Sequence, residues 1–437
     1  MALFLSILCL ILNIYYYKKE SIKYFYFTPI FCISIPYSII MLFVSIYDLI
    51  DYQKAYKMSY LVPLVSILCF TIFKLIGVFF NYLDYRNTKP FILYQNITNE
   101  PEISNCPKFT NPFKKTNKKY INKFTGIKYD LDGIKLLNIL LLLCFIAIII
   151  IYCIKYGFKI IPSAEFKNFF SSGIQGHLVN LITGILLLIF SFKKFYKTKI
   201  ISILWVIFLA LGNAKYLMLM YAVTLLIIFA TSNYKSISLK KIFLFLIVIA
   251  SLFLLTYFMR FLIAGETITS IDYKFIFNHF IYYLVGSFYA FSKVLTNTFT
   301  PTDNVGVGIV IAPIINVLKL LTGNRDYVTS ISRFIPVEIN SNYSETNVYT
   351  LFGAIYFETS MGFMILFIII LSLFSYFLYY KLLKNKKQST LLIYSFFISS
   401  LFYSFFNCFY GASNLIEILI IIIALTFICM RYKNVKR

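Results

Sequence analysis

Charged residues are scarce in this chain, and the motifs of several common protein classes are missing. Only 13% of its 437 residues are charged, whereas 60% are hydrophobic, a composition that excludes an ordinary soluble globular protein. The phosphate-binding loop Gly-x4-Gly-Lys-Ser/Thr is absent. The eight cysteines form no Cys-x-x-Cys pair and no Cys/His cluster, so neither a zinc site nor a disulfide framework is predicted.

What the sequence has in abundance is apolar runs separated by short charged patches. This pattern predicts an all-α polytopic membrane protein with about eleven transmembrane helices in a single domain. The runs lie at about 2–17, 24–47, 58–83, 136–154, 177–192, 200–212, 216–232, 242–259, 348–380, 389–410 and 415–430. The runs 200–212 and 216–232 are short, which predicts a buried hairpin whose turn dips into the membrane.

The net charge of +24 is divided unequally between the two sides of these spans. In a soluble protein it would suggest a nucleic-acid partner. Here alternate loops, namely 18–23, 84–135, 193–199, 233–241, 381–388 and 431–437, carry 28 of the 41 Lys and Arg residues. The positive-inside rule makes that side cytoplasmic and predicts no nucleic-acid partner, an outer N-terminus and an inner C-terminus.

This orientation makes 84–135 a cytoplasmic loop near anionic lipid heads and 261–346 an extracytoplasmic loop. No ATP or nucleotide-sugar pool exists outside, so a reaction there needs an already activated substrate. Within the outer loop, 274–295 predicts a helix at the membrane surface or dipping into it, with His279 and Tyr283 on one face. A short apolar helix is predicted at 309–321.

Arginine is rare in this sequence, and its placement is informative. Three of the six arginines, Arg260, Arg325 and Arg333, lie on the predicted outer side. Guanidinium groups bind phosphate oxygens in a bidentate manner. Lys215, at the turn of the short hairpin, adds a fourth cation at the depth of the outer leaflet. Pairing with lipid headgroups or with Asp326 and Glu338 is the alternative interpretation of Arg325 and Arg333.

The segment 342–363 leads from the polar loop into an apolar helix. Asn347, Tyr349 and Thr350 place polar groups at its start, and Glu358 is predicted below the membrane surface. A carboxylate at that depth costs about 2.5–3.5 kcal/mol on insertion scales, so it is expected to have a partner or a function. The alternative interpretation is a capped helix start followed by one snorkelling glutamate.

The spacing of Asn347, Tyr349, Thr350, Gly353 and Glu358 resembles the signature of the oligosaccharide repeat-unit polymerases, the O-antigen polymerases (Wzy). That family usually has Asp-Phe-Gly where this chain has Glu358-Thr359-Ser360, with the glycine displaced to Gly362. Arg260 and the turn 212–215 resemble two further basic positions of the family, with Lys215 replacing an arginine. The resemblance covers roughly residues 200–380.

The resemblance implies a membrane glycosyltransferase with a GT-C-like fold in the bacterial cytoplasmic membrane. Its substrate would be an undecaprenyl-diphosphate-linked oligosaccharide, polymerised outside into O-antigen, capsule or another surface polysaccharide. A chain-length regulator protein is a candidate partner. The acceptor hydroxyl would attack the anomeric carbon, and undecaprenyl diphosphate would leave. We expect no metal or other cofactor, because no paired-carboxylate site stands out.

The roles follow from this reaction. The candidate catalytic residues are Lys215 and Arg260 as cations at the leaving group and Glu358 or His279 as the base, with Glu345 as a further base candidate. The candidate substrate-binding residues are Tyr283, Arg325, Arg333, Asn347, Tyr349 and Thr350. His177 is interpreted as a cap at the start of the run at 177–192. Lys74 and Glu417 are interpreted as structural residues that pair with other spans. An O-antigen ligase that uses the same donor is the nearest alternative function, and a lipid-linked oligosaccharide flippase is a more distant one.

Overall fold

The computed structural model of the protein describes residues 1–20, 27–50, 57–87, 127–129, 132–161, 163–171, 173–191, 199–212, 215–232, 270–296, 308–324, 335–340, 343–385, 388–428 and 430–432, together with residues 244, 247, 251, 254 and 258. Almost all of this part of the chain is helical. The five separate residues are helical too, and the Ser251 hydroxyl donates a hydrogen bond to the Ile247 carbonyl at 2.9 Å. They fall within the predicted span at 242–259.

Fourteen α-helices and four short strands are present in the described ranges. The helices are α1 (Ala2–Glu20), α2 (Pro29–Ile50), α3 (Leu61–Asn87), α4 (Asp132–Tyr156), α5 (Ala164–Ser171), α6 (Gly173–Ser191), α7 (Lys199–Leu211), α8 (Lys215–Ser232), α9 (Ser270–Leu295), α10 (Gly308–Leu321), α11 (Leu351–Glu358), α12 (Met361–Asn385), α13 (Gln388–Phe402) and α14 (Ser413–Ile428). The strands are β1 (Ile127–Tyr129), β2 (Ile335–Asn340), β3 (Tyr343–Thr346) and β4 (Met430–Tyr432).

Six of the described helices are long and apolar enough to cross a membrane by length and composition: α1, α2, α3, α4, α6 and α12. Their outward-facing side chains are also apolar. On α4, for example, Leu143, Ile151 and Ile154 are 59%, 66% and 74% exposed. Side chains of this kind are expected to face lipid when they cover a long helix so extensively. The fold is therefore consistent with an all-α membrane protein.

The short predicted hairpin is confirmed as two helices, since α7 and α8 begin and end within one residue of the predicted runs. The run at 348–380 was predicted to form a single span, and this prediction was wrong. It contains α11 and α12, which are separated at Thr359 and Ser360. The Ser360 hydroxyl accepts a hydrogen bond from the Phe363 N–H at 3.3 Å. It therefore caps a new helix rather than continuing the first.

The predicted run at 389–410 was also too long. Helix α13 ends at Phe402, and a turn followed by a 3-10 helix at Phe409–Gly411 leads into α14. The Leu351 N–H donates a hydrogen bond to the Ser404 carbonyl at 2.6 Å, which joins this turn to the start of α11. The Ser404 carbonyl, which lies beyond the end of α13, thus helps to position the segment that carries Glu358.

Helix α13 lies at the centre of the bundle. It packs against α2, α6, α8, α12 and α14, and nearly all of its side chains are buried. Helices α1, α2, α3 and α12 pack together on one side of it, and α4, α6, α7, α8 and α14 on the other.

Lys74 is buried on α3, and it has the partner that its depth requires. Its Nζ lies 2.9 Å from Glu20 Oε2 at the end of α1, and the Tyr376 hydroxyl donates to the same oxygen at 2.8 Å. Gly77 makes this possible, because a Cβ there would lie 2.4 Å from the Tyr376 ring. The structural interpretation of Lys74 is consistent with this ion pair, which joins α1, α3 and α12.

Two segments far apart in sequence pair as short strands. Strand β1 is antiparallel to β4, with Lys128 opposite Arg431, and β2 pairs with β3 in the same sense. The charge distribution assigns β1 and β4 to one side of the membrane and β2 and β3 to the other. Each pair therefore lies within a single predicted side.

Candidate functional site

Helix α9 organises the predicted outer region. It was expected at the membrane surface or dipping into it, and its second half is buried against α2, α3 and α11. The Tyr289 hydroxyl donates to the Asp48 carboxylate, whose other oxygen accepts from the Met58 N–H at 2.8 Å. The Ser59 N–H donates to Ser292 Oγ at 2.8 Å. The C-terminal half of α9 is thus fixed to the connection between α2 and α3.

The first half of α9 carries the aromatic residues of the candidate site. His279 stacks on Tyr282, with ring centroids 5.6 Å apart and planes at 21°, and meets Tyr283 edge-on at 4.8 Å. Residues three and four positions apart share a helix face, so this arrangement follows from the spacing of His279, Tyr282 and Tyr283. His279 and Tyr283 therefore lie together, as the helical spacing predicted.

Lys215 on α8 contacts the aromatic residues of α9. As the first residue of α8, it places its Nζ 5.6 Å from the centroid of the Tyr283 ring. A cation over an aromatic face contributes about 0.5–1 kcal/mol at an exposed site. The structure thus brings three candidates together: Lys215, Tyr283 and His279.

The antiparallel pair of strands β2 and β3 closes the other edge of the cluster. The Tyr282 hydroxyl donates to the Glu345 carbonyl at 2.8 Å and interacts with the Thr346 side chain and the Asn347 backbone. Asn347 is half-buried. Through Tyr282, the segment that begins the sequence motif therefore lies beside His279.

The motif residues Tyr349, Thr350 and Glu358 are buried inside the protein. Thr350 is fully buried, and its hydroxyl accepts from the Gly353 N–H at 2.9 Å, which makes it the N-cap of α11. Tyr349 is fully buried and stacks on Phe357 at 5.4 Å. Neither side chain is exposed to a substrate in this conformation. Glu358 is 1% exposed at the end of α11, so its carboxylate is buried inside the protein, and its depth in the membrane stays a prediction.

Three of the four candidate cations lie outside the described residues: Arg260, Arg325 and Arg333. Their roles stay predictions. One pair of titratable residues was not assigned to the site from the sequence. His177 on α6 and Glu417 on α14 form a hydrogen-bonded pair, with 2.8 Å between Nδ1 and Oε1. The described residues contain no group of three or more His, Cys, Asp or Glu side chains that could hold a metal ion.

Comparison with known proteins gives one match, a family model that spans residues 105–435. This is about three quarters of the chain. The chain belongs to DUF6337, a family of unknown function. No curated protein and no solved structure matches the chain.

The DUF6337 region contains Lys215, His279, Tyr283 and Glu358, together with the His177–Glu417 pair. It begins after α3, so Glu20 and Lys74 lie outside it. The polar residues of the candidate site are therefore all carried by the part of the chain that defines the family.

His177 was interpreted from the sequence as a cap at the start of a span, and that interpretation was wrong. Helix α6 begins four residues earlier, at Gly173. Glu417 has a partner on another helix, as was expected for it, although the partner residue was not predicted. The available signal was the pair His177 and Asn180, three positions apart on one face at the end of a span.

The two glycines of the sequence motif have different surroundings, which gives a test of the packing around α9. A Cβ on Gly353 would lie 2.9 Å from Phe291 Cβ, whereas a Cβ on Gly362 would have nothing within 4 Å. We expect Gly353→Val to destabilise the protein by about 1–3 kcal/mol through overpacking and Gly362→Val to change it by less than about 0.5 kcal/mol. Thermal unfolding of both purified variants in detergent measures this. Equal melting temperatures would contradict the predicted close contact of α9 with α11.

Proposed function

We propose that the chain is a membrane glycosyltransferase that polymerises undecaprenyl-diphosphate-linked oligosaccharide repeat units on the extracytoplasmic face of the cytoplasmic membrane. The observation that carries the proposal is the position of Lys215 over Tyr283, beside His279. These residues come from the short hairpin and from the long loop, the two segments that the sequence places on the outer side. A GT-C-related fold is part of the same proposal.

Lys215 suits an anionic leaving group. It stands at the first position of α8, where the helix dipole makes a cation unfavourable by about 0.3–1 kcal/mol and an anion favourable. A diphosphate bound there would gain from the ammonium group and from the dipole together. Negative charge grows on the diphosphate as the glycosidic bond breaks, and one preorganised donor at such a charge contributes about 2.7–4 kcal/mol.

The aromatic rings around Lys215 suit the sugar rather than the phosphate. His279, Tyr282, Tyr283 and Phe406 present ring faces and edges to one another, with Tyr283 and Phe406 stacked at 5.6 Å. Aromatic rings with a polar atom combine apolar contact area with hydrogen bonding, which matches a carbohydrate with apolar C–H faces. The apolar surfaces of α4 and its neighbours would accommodate the prenyl chains in the surrounding lipid.

Arg260 provides a prediction that depends on the sequence alone. We expect Arg260→Ala to abolish polymer while the amount of protein in the membrane stays unchanged, and Arg260→Lys to keep part of the activity, because a cation is retained without the bidentate geometry. Polymer length on gels and immunoblots of membranes measure the two quantities. Wild-type polymer in the Arg260→Ala strain would remove this residue from the site.

A deletion strain of the source bacterium tests the proposed function. We expect it to display chains of a single repeat unit on its lipid-linked glycan and to regain long chains when the wild-type gene is returned. Full-length chains that stay unattached would instead indicate a ligase with the same donor. Accumulation of unpolymerised lipid-linked units on the cytoplasmic face would indicate a flippase, and either result would contradict the polymerase.

A further inference from the structure

The pair of His177 and Glu417 has a geometry beyond that of a simple helix-to-helix contact. Glu417 Oε1 lies 2.8 Å from His177 Nδ1, and Glu417 Oε2 accepts from the Asn180 side-chain amide at 2.7 Å. Both carboxylate oxygens therefore have partners on the same face of α6. Glu417 cannot rotate without losing one of these bonds.

The hydrogen bond to Glu417 determines which nitrogen of His177 carries a proton. An ionised carboxylate only accepts hydrogen bonds, so Nδ1 must donate. In neutral His177 the lone pair then lies on Nε2, on the opposite edge of the ring. This is the arrangement of a histidine that is oriented to accept a proton.

His177 is more exposed than Glu417, as a residue that accepts a proton from a substrate must be. The His177 side chain is 72% exposed, whereas that of Glu417 is 30% exposed and Asn180 is buried. The exposed imidazole of His177 is thus held in place by two side chains that are less exposed. A contact as exposed as the one between His177 and Glu417 adds little to stability even when both groups are charged, so folding alone gives a weak reason for the three residues to be arranged in this way.

The pair is connected to the residue that follows Lys215 in the chain. Tyr216, the next residue on α8, interacts electrostatically with Glu417, and its ring stacks on Phe409 at 5.9 Å. Phe409 in turn stacks on Phe406, which contacts Tyr283. Tyr216 therefore connects the His177–Glu417 pair to the aromatic residues around Lys215.

Close packing of α6 and α14 fixes the pair in register. One turn along each helix from Asn180 and Glu417, a Cβ on Gly184 would lie 2.7 Å from Ile421 Cγ2. Small residues allow helices to approach closely in this way. The helices are therefore held at a separation that the carboxylate of Glu417 can bridge to both polar residues of α6.

We propose that His177 is the proton acceptor of the transfer reaction and that Glu417 and Asn180 position it, an inference that rests on the proposed function. The acceptor hydroxyl oxygen forms a bond to the anomeric carbon of the donor, and its proton moves to His177 Nε2. The bond between the anomeric carbon and the diphosphate oxygen breaks, and the electron pair leaves with the lipid diphosphate beside Lys215. His177 then releases the proton to water.

The test uses the purified full-length protein in proteoliposomes with a lipid-linked repeat unit as substrate. We expect His177→Ala to lower the turnover rate by about 10²–10⁴-fold, with the KM for the donor unchanged and with partial recovery in added imidazole. Glu417→Gln should lower the rate by at least about tenfold and leave the melting temperature close to wild type. Ile174→Ala, a truncation at a 75% exposed position on the same end of α6, is the matched control and should keep full activity.

The possible results separate this inference from the proposed function. Activity of His177→Ala within about threefold of wild type would overturn the role of His177 alone. A loss that imidazole does not restore would assign His177 to another role and overturn the inference as well. If the folded wild-type protein does not extend the lipid-linked unit, the proposed function itself fails and the inference fails with it.

Discussion

Replacing Lys215 by methionine is expected to lower the rate of glycan polymerisation by about 10²–10³-fold, the effect of losing one preorganised donor at a developing negative charge. Methionine keeps the length and the apolar stem of the side chain but removes the ammonium group that lies over Tyr283. The loss should be in the turnover rate more than in the KM, because the charge on the diphosphate grows in the transition state. The rate of extension of a purified lipid-linked repeat unit measures this.

A second lysine provides the matched control for Lys215. Lys155 on α4 holds its Nζ 5.0 Å from the centroid of the Tyr156 ring, so Lys155→Met removes a similar contact away from the site. We expect that variant to keep wild-type activity and Lys215→Arg to keep a substantial part of it. Equal losses in Lys155→Met and Lys215→Met would mean that the effect comes from general charge or stability, not from the site.

Replacing Lys74 by methionine is expected to destabilise the protein by about 3–5 kcal/mol, the usual result of removing one partner of a buried ion pair. Glu20 would then lose its ammonium partner and keep the hydrogen bond from Tyr376. Tyr376→Phe, which removes that hydrogen bond and keeps the ion pair, should cost about 1 kcal/mol. Thermal unfolding of the purified variants in the same detergent gives the order of the effects.

The double variant Lys74→Met with Glu20→Gln separates the loss of the pair from the burial of a single charge. We expect it to recover most of the stability lost in Lys74→Met, because no unpaired carboxylate remains in the interior. A double variant less stable than Lys74→Met would show that the ion pair is not the reason for the loss. Since Glu20 and Lys74 lie outside the family region, these changes should affect activity only in proportion to the amount of folded protein.

The sequence predicted those elements whose signal is local. The bounds of α7, α8 and α10 follow from continuous apolar runs between charged or glycine-containing turns. The break at Thr359 and Ser360 was missed, because hydropathy stays high across it. It depends on the Ser360 cap and on the fixing of Leu351 to the Ser404 carbonyl, which is a contact between distant segments.

Part of the candidate site was predictable for the same reason. His279 and Tyr283 share a helix face by spacing alone, and Lys215 stands out because a charged residue rarely interrupts a buried hairpin. The pairing of His177 with Glu417 joins residues 240 positions apart, and no pattern in the sequence brings α6 next to α14. The capping role of Thr350 was available as the alternative interpretation of its segment, and the hydrogen bond to the Gly353 N–H supports that role.

The most direct test of the account is the extension of a lipid-linked repeat unit by the purified wild-type protein in proteoliposomes, without ATP or a nucleotide sugar. The account predicts a ladder of glycan lengths, with undecaprenyl diphosphate released once for each unit added and with no ladder from Lys215→Met. A folded wild-type protein that leaves the substrate as single units, or a ladder that is the same in Lys215→Met, would contradict it.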